Sequence, residues 1–463
     1  MKTIISKTIA LLLLVFICET NYSQPLFKSN DRVCFVGNSI TNNGEFHHNV
    51  LLYHITRFPA VPVKFYNCGI SGDVTGGILR RMDDDILIQQ PNVVVIMIGM
   101  NDMTGSLFGT KPTINSDTLQ RRQDALQLYK TNLEKIVNVF LEKKIRVILQ
   151  KPTIYDQTAL LTTPAQFGKN DALKTCADFM ETLAQKYKLQ TVDYWTIMNS
   201  INQEQQKQNP AFTLTSKDRV HPEATGHFVM FYKFLKDKNA QQSVSKIAIS
   251  KGKKNSKLSM NCEIQSVEKI PSGMKFKVLE KSLPFPTVSN QQKALELVPF
   301  TADFNQQILQ VDGLKLGKYE LSIDDKVIAT FTSEQLKTGV NLSDLQTTPQ
   351  YLQALKVRKT LVELWAYESK LRGIKFIEYN PAFKMVNFND SFQKQKETLD
   401  SVLTVKYGSA SNLNYYLLKS KEYFENKAQE NEFKVKLDSL REVAYKTAQP
   451  VVHTFKILET KSN

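Results

Sequence analysis

The stretch Arg32-Val33-Cys34-Phe35-Val36-Gly37-Asn38-Ser39-Ile40-Thr41 decides the fold class. Its successive apolar residues, without polar alternation, read as a strand covered on both faces, which is how strands of parallel sheets read. Glycine and asparagine then end the strand, and Ser39 falls at the junction with the next element. A serine there has its hydroxyl lifted above the sheet edge and its amide at a helix start, where negative charge is favoured.

Outward from this stretch, similar runs recur at residues 63–67, 93–98, 146–150 and 190–193, and segments 131–142 and 172–187 have helical spacing. Strands alternating with helices predict a flavodoxin-like three-layer α/β/α sandwich with a parallel sheet, over residues 24–240. Residues 241–255 are rich in Ser, Lys and Gly and read as a linker. A small β-rich domain is expected over 256–345, with strands at 275–278, 318–323 and 326–331. Asp324 and Asp325 form the turn between the last two. Residues 346–463 are expected to be a helical region. Its helices lie at 350–371, ended by Gly373, at 391–405 and at 419–447.

The length of 463 residues exceeds what one core usually supports, and the 42% hydrophobic content excludes long disorder. Lys2 and Lys7, the apolar run 9–18 and the polar segment 19–23 form a basic, apolar, polar order. That order predicts a signal segment over 1–23 and an exported protein, periplasmic, extracellular or surface-associated. Ile17 argues against a lipid-bearing Cys18. No later segment is long and apolar enough for a membrane helix. Cys34, Cys68, Cys176 and Cys262 have no metal-site spacing and read as small buried residues, although a Cys34–Cys68 bridge stays open. Of the net charge of +15, most lies late in the chain, residues 243–463 holding 33 Lys and Arg against 24 Asp and Glu. The lysines at 251, 253, 254 and 257 read as linker, not as a nucleic-acid surface.

Three further blocks accompany Ser39: Asn67-Cys68-Gly69-Ile70-Ser71-Gly72-Asp73, Ile98-Gly99-Met100-Asn101-Asp102 and Asp218-Arg219-Val220-His221-Pro222. The first two follow strands, at the sheet edge where open α/β sheets bind ligands. Glycine lets backbone approach a ligand, and an asparagine amide can donate to it; Asn101 could equally cap the next element. In the last block, one loop can deliver a base, His221, and the carboxylate that orients it, Asp218.

Together these blocks resemble the SGNH/GDSL hydrolase superfamily, over roughly residues 31–236. The resemblance implies Ser39 as nucleophile, Asp218 and His221 as its partners, and an oxyanion hole from Ser39, Gly72 and Asn101. Gly69 is the competitor of Gly72. Asn38 departs from the superfamily's usual aspartate. The second half, from the 319–332 hairpin through Gly339-Val340-Asn341-Leu342, is similar to the C-terminal extension of secreted members from glycan-degrading bacteria.

The expected activity is hydrolysis of short acyl, chiefly acetyl, esters on an oligo- or polysaccharide, with no cofactor and no metal. A lipid esterase such as a lysophospholipase is one alternative. A glycan-binding surface protein with a vestigial hydrolase domain is another. Asn38, His47 and Asp73 are candidates for substrate binding. His227 reads as a packing residue and the run Asp83-Asp84-Asp85 as a solvated helix segment; Arg80 and Arg81 either pair with that run, the favoured reading, or bind an anionic substrate.

Overall fold

The computed structural model describes residues 25–111, 113–407 and 413–460; the signal segment expected at 1–23 lies outside them. Strands β1 (Arg32–Gly37), β2 (Lys64–Gly69), β3 (Val93–Met97), β4 (Arg146–Lys151) and β5 (Gln190–Asp193) form a parallel sheet in the order β2-β1-β3-β4-β5. This is the flavodoxin-like order, with its switch point beside β1. Gly37 stands in register with both Gly69 and Met97, so three strands end side by side.

Alternate strand residues feed two cores. Val33, Phe35, Val93 and Val95 join one, and Cys34, Val36, Val94 and Ile96 the other. Each such fully buried side chain contributes about 1.5–3 kcal/mol. Helices α1 (Ser39–Asn43), α2 (Glu45–Arg57), α3 (Thr75–Arg80), α4 (Ser116–Glu142), α5 (Lys169–Tyr187), α6 (Tyr194–Gln206) and α7 (Ala224–Asp237) flank the sheet. The first core takes side chains from α2, α6 and α7, the second from α3, α4 and α5. α4 starts well before the segment with clear spacing, because Asn115 caps it by accepting from the Thr118 amide at 2.8 Å while its first turns stay exposed and polar.

Beyond α7 lie β6 (Ser243–Ser250), β7 (Lys253–Lys254), β8 (Cys262–Ile270), β9 (Gly273–Glu280), α8 (Gln292–Leu297), α9 (Phe300–Phe304), β10 (Gln306–Asp312), β11 (Lys318–Ile323), β12 (Lys326–Thr332), α10 (Ser333–Thr338) and β13 (Val340–Asn341). Helices α11 (Pro349–Tyr379), α12 (Phe392–Tyr407), α13 (Leu413–Lys427) and α14 (Glu430–Thr447) precede β14 (Val452–Glu459). Two sheets, β13-β10-β6-β7 and β12-β11-β14-β9-β8, share one apolar cluster that includes Ile247, Phe276, Leu309, Leu321 and Phe455.

Three expectations are corrected here. The linker at 241–255 contains β6, whose Val244 and Ile247 are fully buried because β10 pairs with it from far along the chain. The end of the chain is not wholly helical: β14 sits between β11 and β9, with Phe455 and Ile457 buried on alternate residues. Gly373 does not stop α11. A mid-helix glycine costs about 1 kcal/mol, less than the burial of Ile374, Phe376 and Ile377 just beyond it contributes. α11 also reaches back to the first domain, since Ala354, Val357, Leu361 and Leu364 enter the core of α2 and α7. Cys34, Cys68, Cys176 and Cys262 are free. No helix among the described residues is long and apolar enough to cross a membrane.

Candidate active site

Because β1 lies between β2 and β3, the loops that follow these strands are neighbours at one sheet edge. Asn38 ends β1 and caps α1, its Oδ1 accepting from the Ile40 amide at 3.1 Å. Ser39 is thereby the first residue of α1, where a backbone N–H has no intrahelical partner. The Ser39 hydroxyl donates to His221 Nε2 at 2.7 Å, and His221 Nδ1–H donates to Asp218 Oδ2 at 2.6 Å, the tautomer being set by the carboxylate.

The turn that carries Asp218 and His221 is braced in several ways. Asp218 Oδ1 accepts from the amides of Val220 and His221, at 2.9 and 3.0 Å. Burial pushes the Asp218 carboxyl up, but the His221 ring and these amides outweigh it and hold the group well below the ordinary carboxylate range. Ser216 N–H donates to His221 O at 2.7 Å, and Pro222 bridges Thr215, so α7 begins only at Ala224. Arg219 has a left-handed φ of 69° and is 2% exposed. Its guanidinium donates to the carbonyls of Asp156, Ala159 and Thr163 at 2.9, 3.0 and 2.8 Å, tying the Asp218–His221 turn to residues 156–163. Nothing in the sequence flagged this role, since a non-glycine left-handed residue leaves no local signature.

Gly72 has φ +81°, and a Cβ there would meet nothing within 4 Å, so its backbone faces open space. The amide of its competitor Gly69 is already used, donating to Asn67 Oδ1 at 3.0 Å, and a Cβ at Gly69 would strike Asn42 N at 2.2 Å. Gly69 is a close-packing glycine. Asn101 Nδ2 donates to Asp73 O at 3.0 Å, which joins the third loop to the second. Beside it, Asp102 Oδ1 accepts from the Thr75 amide and hydroxyl at 3.0 and 2.6 Å. Burial raises the Asp102 carboxyl to about 6 against those hydrogen bonds.

The three candidates for substrate binding turn inward instead. Asn38 is 2% exposed and spends its side chain on the cap. His47 stacks on Phe35 at 4.6 Å and bonds Thr41 O at 3.1 Å through Nε2; burial lowers its pKa to about 3, so it is a neutral packing group. Asp73 is paired with Arg81 at 2.8 Å in the interior. His227 stacks parallel to Phe46 in the core, as a packing residue does. The reading of Asp83-Asp84-Asp85 as solvated holds for the first two only. Asp85 is 1% exposed and receives Arg81 Nη1 at 2.6 Å.

α11 supplies groups that sequence reading missed. Glu368 accepts from His48 Nε2 at 2.7 Å and from Asn67 Nδ2 at 3.3 Å, while His48 stacks on Trp365 at 4.4 Å. Burial pushes the Glu368 carboxyl up, but the facing His48, then His47 and the hydrogen bonds, hold it at about 2. A carboxylate held below its ordinary value stabilises the fold above about pH 4.5, and that contribution is lost as pH falls toward 2. Glu368→Gln is expected to lower stability at neutral pH by on the order of 2 kcal/mol and to flatten the acid limb. Denaturant midpoints at stepped pH check this; an unaltered acid limb would remove the pair from the account.

Residues 35–228 match the GDSL-like Lipase/Acylhydrolase family. An acetylxylan esterase of Geobacillus stearothermophilus is 25% identical over 233 residues, covering 45% of this chain and 94% of the relative. A solved gut microbial diltiazem-metabolizing enzyme superimposes with TM-score 0.83 at 29% identity, covering 94% of this chain and 98% of its own. The crystal structure of a Geobacillus stearothermophilus acetylxylan esterase aligns at 21% identity with TM-score 0.38, over 47% of this chain and 98% of that one.

Proposed function

We propose that the chain, whose residues 35–228 match the GDSL-like Lipase/Acylhydrolase family, hydrolyses short acyl esters, chiefly acetyl esters of an oligo- or polysaccharide, through Ser39, His221 and Asp218. The family and the curated relative support an esterase. The observation that carries the finer reading is the unbroken relay of 2.7 and 2.6 Å from the Ser39 hydroxyl through the His221 ring to Asp218.

In this mechanism His221 Nε2 takes the Ser39 proton as the oxygen attacks the ester carbonyl. The tetrahedral oxyanion accepts from the Ser39 and Gly72 amides and the Asn101 side chain, whose second amide hydrogen is free for it. Collapse expels the alcohol, which takes its proton from His221, and leaves an acyl-enzyme. Water, deprotonated by His221, then releases the acid and restores Ser39. Asp218 stays ionised and holds the ring for both transfers.

Acetyl is favoured over long acyl chains by the name of the curated relative and by the expected export. A panel of acetyl, butyryl and long-chain p-nitrophenyl esters, followed by acetate release from acetylated xylan, tests the preference. Hydrolysis of long-chain esters with no acetate release would replace the glycan reading with a lipid one. Asp218→Asn should lower kcat roughly 1,000-fold with little change in KM, because the His221 ring loses its orienting acceptor. Export from the N-terminal order of residues 1–23 is part of the same proposal, and N-terminal sequencing of the processed protein checks it.

A further inference from the structure

We propose that Arg372, on the C-terminal helix α11, is a positioning residue for this hydrolysis, holding the loop of residues 69–73 and its oxyanion donor in place against Ser39. The inference rests on the reading of Ser39 as nucleophile. Arg372 is 5% exposed, and its Nε donates to Gly69 O at 3.1 Å. Its other two nitrogens grip both Asp85 oxygens, at 2.7 and 2.9 Å. Asp85 also takes Arg81 Nη1 at 2.6 Å, and Arg81 passes the grip on, donating to Asp73 Oδ2 at 2.8 Å and to Gly37 O at 3.3 Å.

Both flanks of Gly72 are therefore fixed by one buried charge network. At the near flank stands Gly69, at the far flank Asp73, whose carbonyl also accepts from Asn101. Gly37, two residues before Ser39, accepts from Arg81 and from the Ile70 amide at 3.0 Å. A Cβ on Gly72 would meet nothing within 4 Å, so its amide is placed through its neighbours: the two flanks, and Ser71, whose Oγ accepts from Asn42 Nδ2 at 3.0 Å. α11 holds the same loop once more, and the strand that leads into it as well. The Ile70 side chain is buried in a cluster with Ile374, Phe376 and Ile377, and Asn67 donates to Glu368.

A network of four buried charges is not the cheapest way to make a helix stick; apolar residues of similar volume often do as well. What a guanidinium adds is a rigid fork that fixes two partners in angle as well as distance. Oxyanion donors need that kind of fixing, since misplacement by about 1 Å can cost on the order of 100-fold in rate. The esterase relative aligns along 94% of its length with only 45% of this chain, which leaves most of the C-terminal half without a counterpart there. In this chain the C-terminal helix has become part of the support of the site.

The test compares Arg372→Lys, which keeps the charge and loses the fork, with Leu364→Ala, a core truncation on the same helix away from the loop. Hydrolysis of p-nitrophenyl acetate and melting temperature are read for both. Arg372→Lys is expected to lower kcat at least about 10-fold with KM changed less than about threefold. Leu364→Ala should melt lower yet keep kcat within about twofold. In an Asn101→Ala background, which alone should cost about 100-fold or more, Arg372→Lys should add less than about threefold, because both act on one oxyanion hole.

If Arg372→Lys does not fold, Asp85→Asn with Arg372→Gln removes the charge pair together and carries the same expectation. Wild-type kcat in the Arg372 variant, a loss that merely follows melting temperature as in Leu364→Ala, or losses that multiply with Asn101→Ala would each overturn the inference. Ser39→Ala on the same substrate separates the two failures. If it stays active the nucleophile reading falls; if it is inert while the Arg372 variant is unimpaired, only the positioning role falls.

Discussion

Ser39→Ala is expected to abolish ester hydrolysis, lowering kcat for p-nitrophenyl acetate by at least about 10,000-fold. The hydroxyl is the group that His221 accepts from at 2.7 Å, so its removal leaves the relay with nothing to deprotonate for attack. Alanine suits the first position of α1, and Asn38 keeps the cap, so folding should be unaffected within about 0.5 kcal/mol. The proposed oxyanion donors remain, which is why a residual rate above the uncatalysed one is expected. Retention of more than a tenth of the wild-type kcat would reject the acyl-enzyme route and favour a binding role for the chain.

The largest effect on stability should come from Asp85→Ala. Asp85 is 1% exposed and is the shared partner of Arg81 and Arg372, so the variant leaves the buried Arg372 guanidinium without a carboxylate and Arg81 with Asp73 alone. Burial alone would raise the Asp85 carboxyl, but the two arginines hold it far below the carboxylate range. Breaking a buried pair by removing one partner costs about 3–5 kcal/mol. Chemical denaturation should show this loss, together with a fall in kcat, since the same network holds residues 69–73. A midpoint within about 0.5 kcal/mol of wild type would mean that water reaches both arginines and offsets the lost anion.

Much of the α/β domain was legible because its signals are local. Continuous apolar runs mark strands covered on both faces, and the observed β1 and β3 start where those runs start. The four blocks stand at strand ends or just before a helix, so their side chains converge once strand order is set. For Asn38, His47 and Asp73 the sequence left the direction of the side chain open. Residue type and closeness to Ser39 do not reveal which way a side chain turns. All three turn into the interior, where Ile40, Thr41 and Arg81 are their partners.

The second half was less legible because its elements are completed by distant ones. β6 reads as linker until β10 covers it, and β14 alternates apolar residues over too short a run to stand apart from the helices before it. Arg81 and Asp85, four residues apart, could be seen as a pair from sequence. Arg372, 287 residues from Asp85, could not.

By itself, the sequence determined the parallel α/β sheet and the order of the groups that meet at its edge, since both follow from short-range pattern. Only the tertiary structure decided that Gly72 rather than Gly69 keeps an uncommitted position, and that a helix from the far end of the chain braces its loop. Those outcomes depend on which hydrogen-bond donors are consumed in the interior, and that accounting exists only once distant segments have packed together.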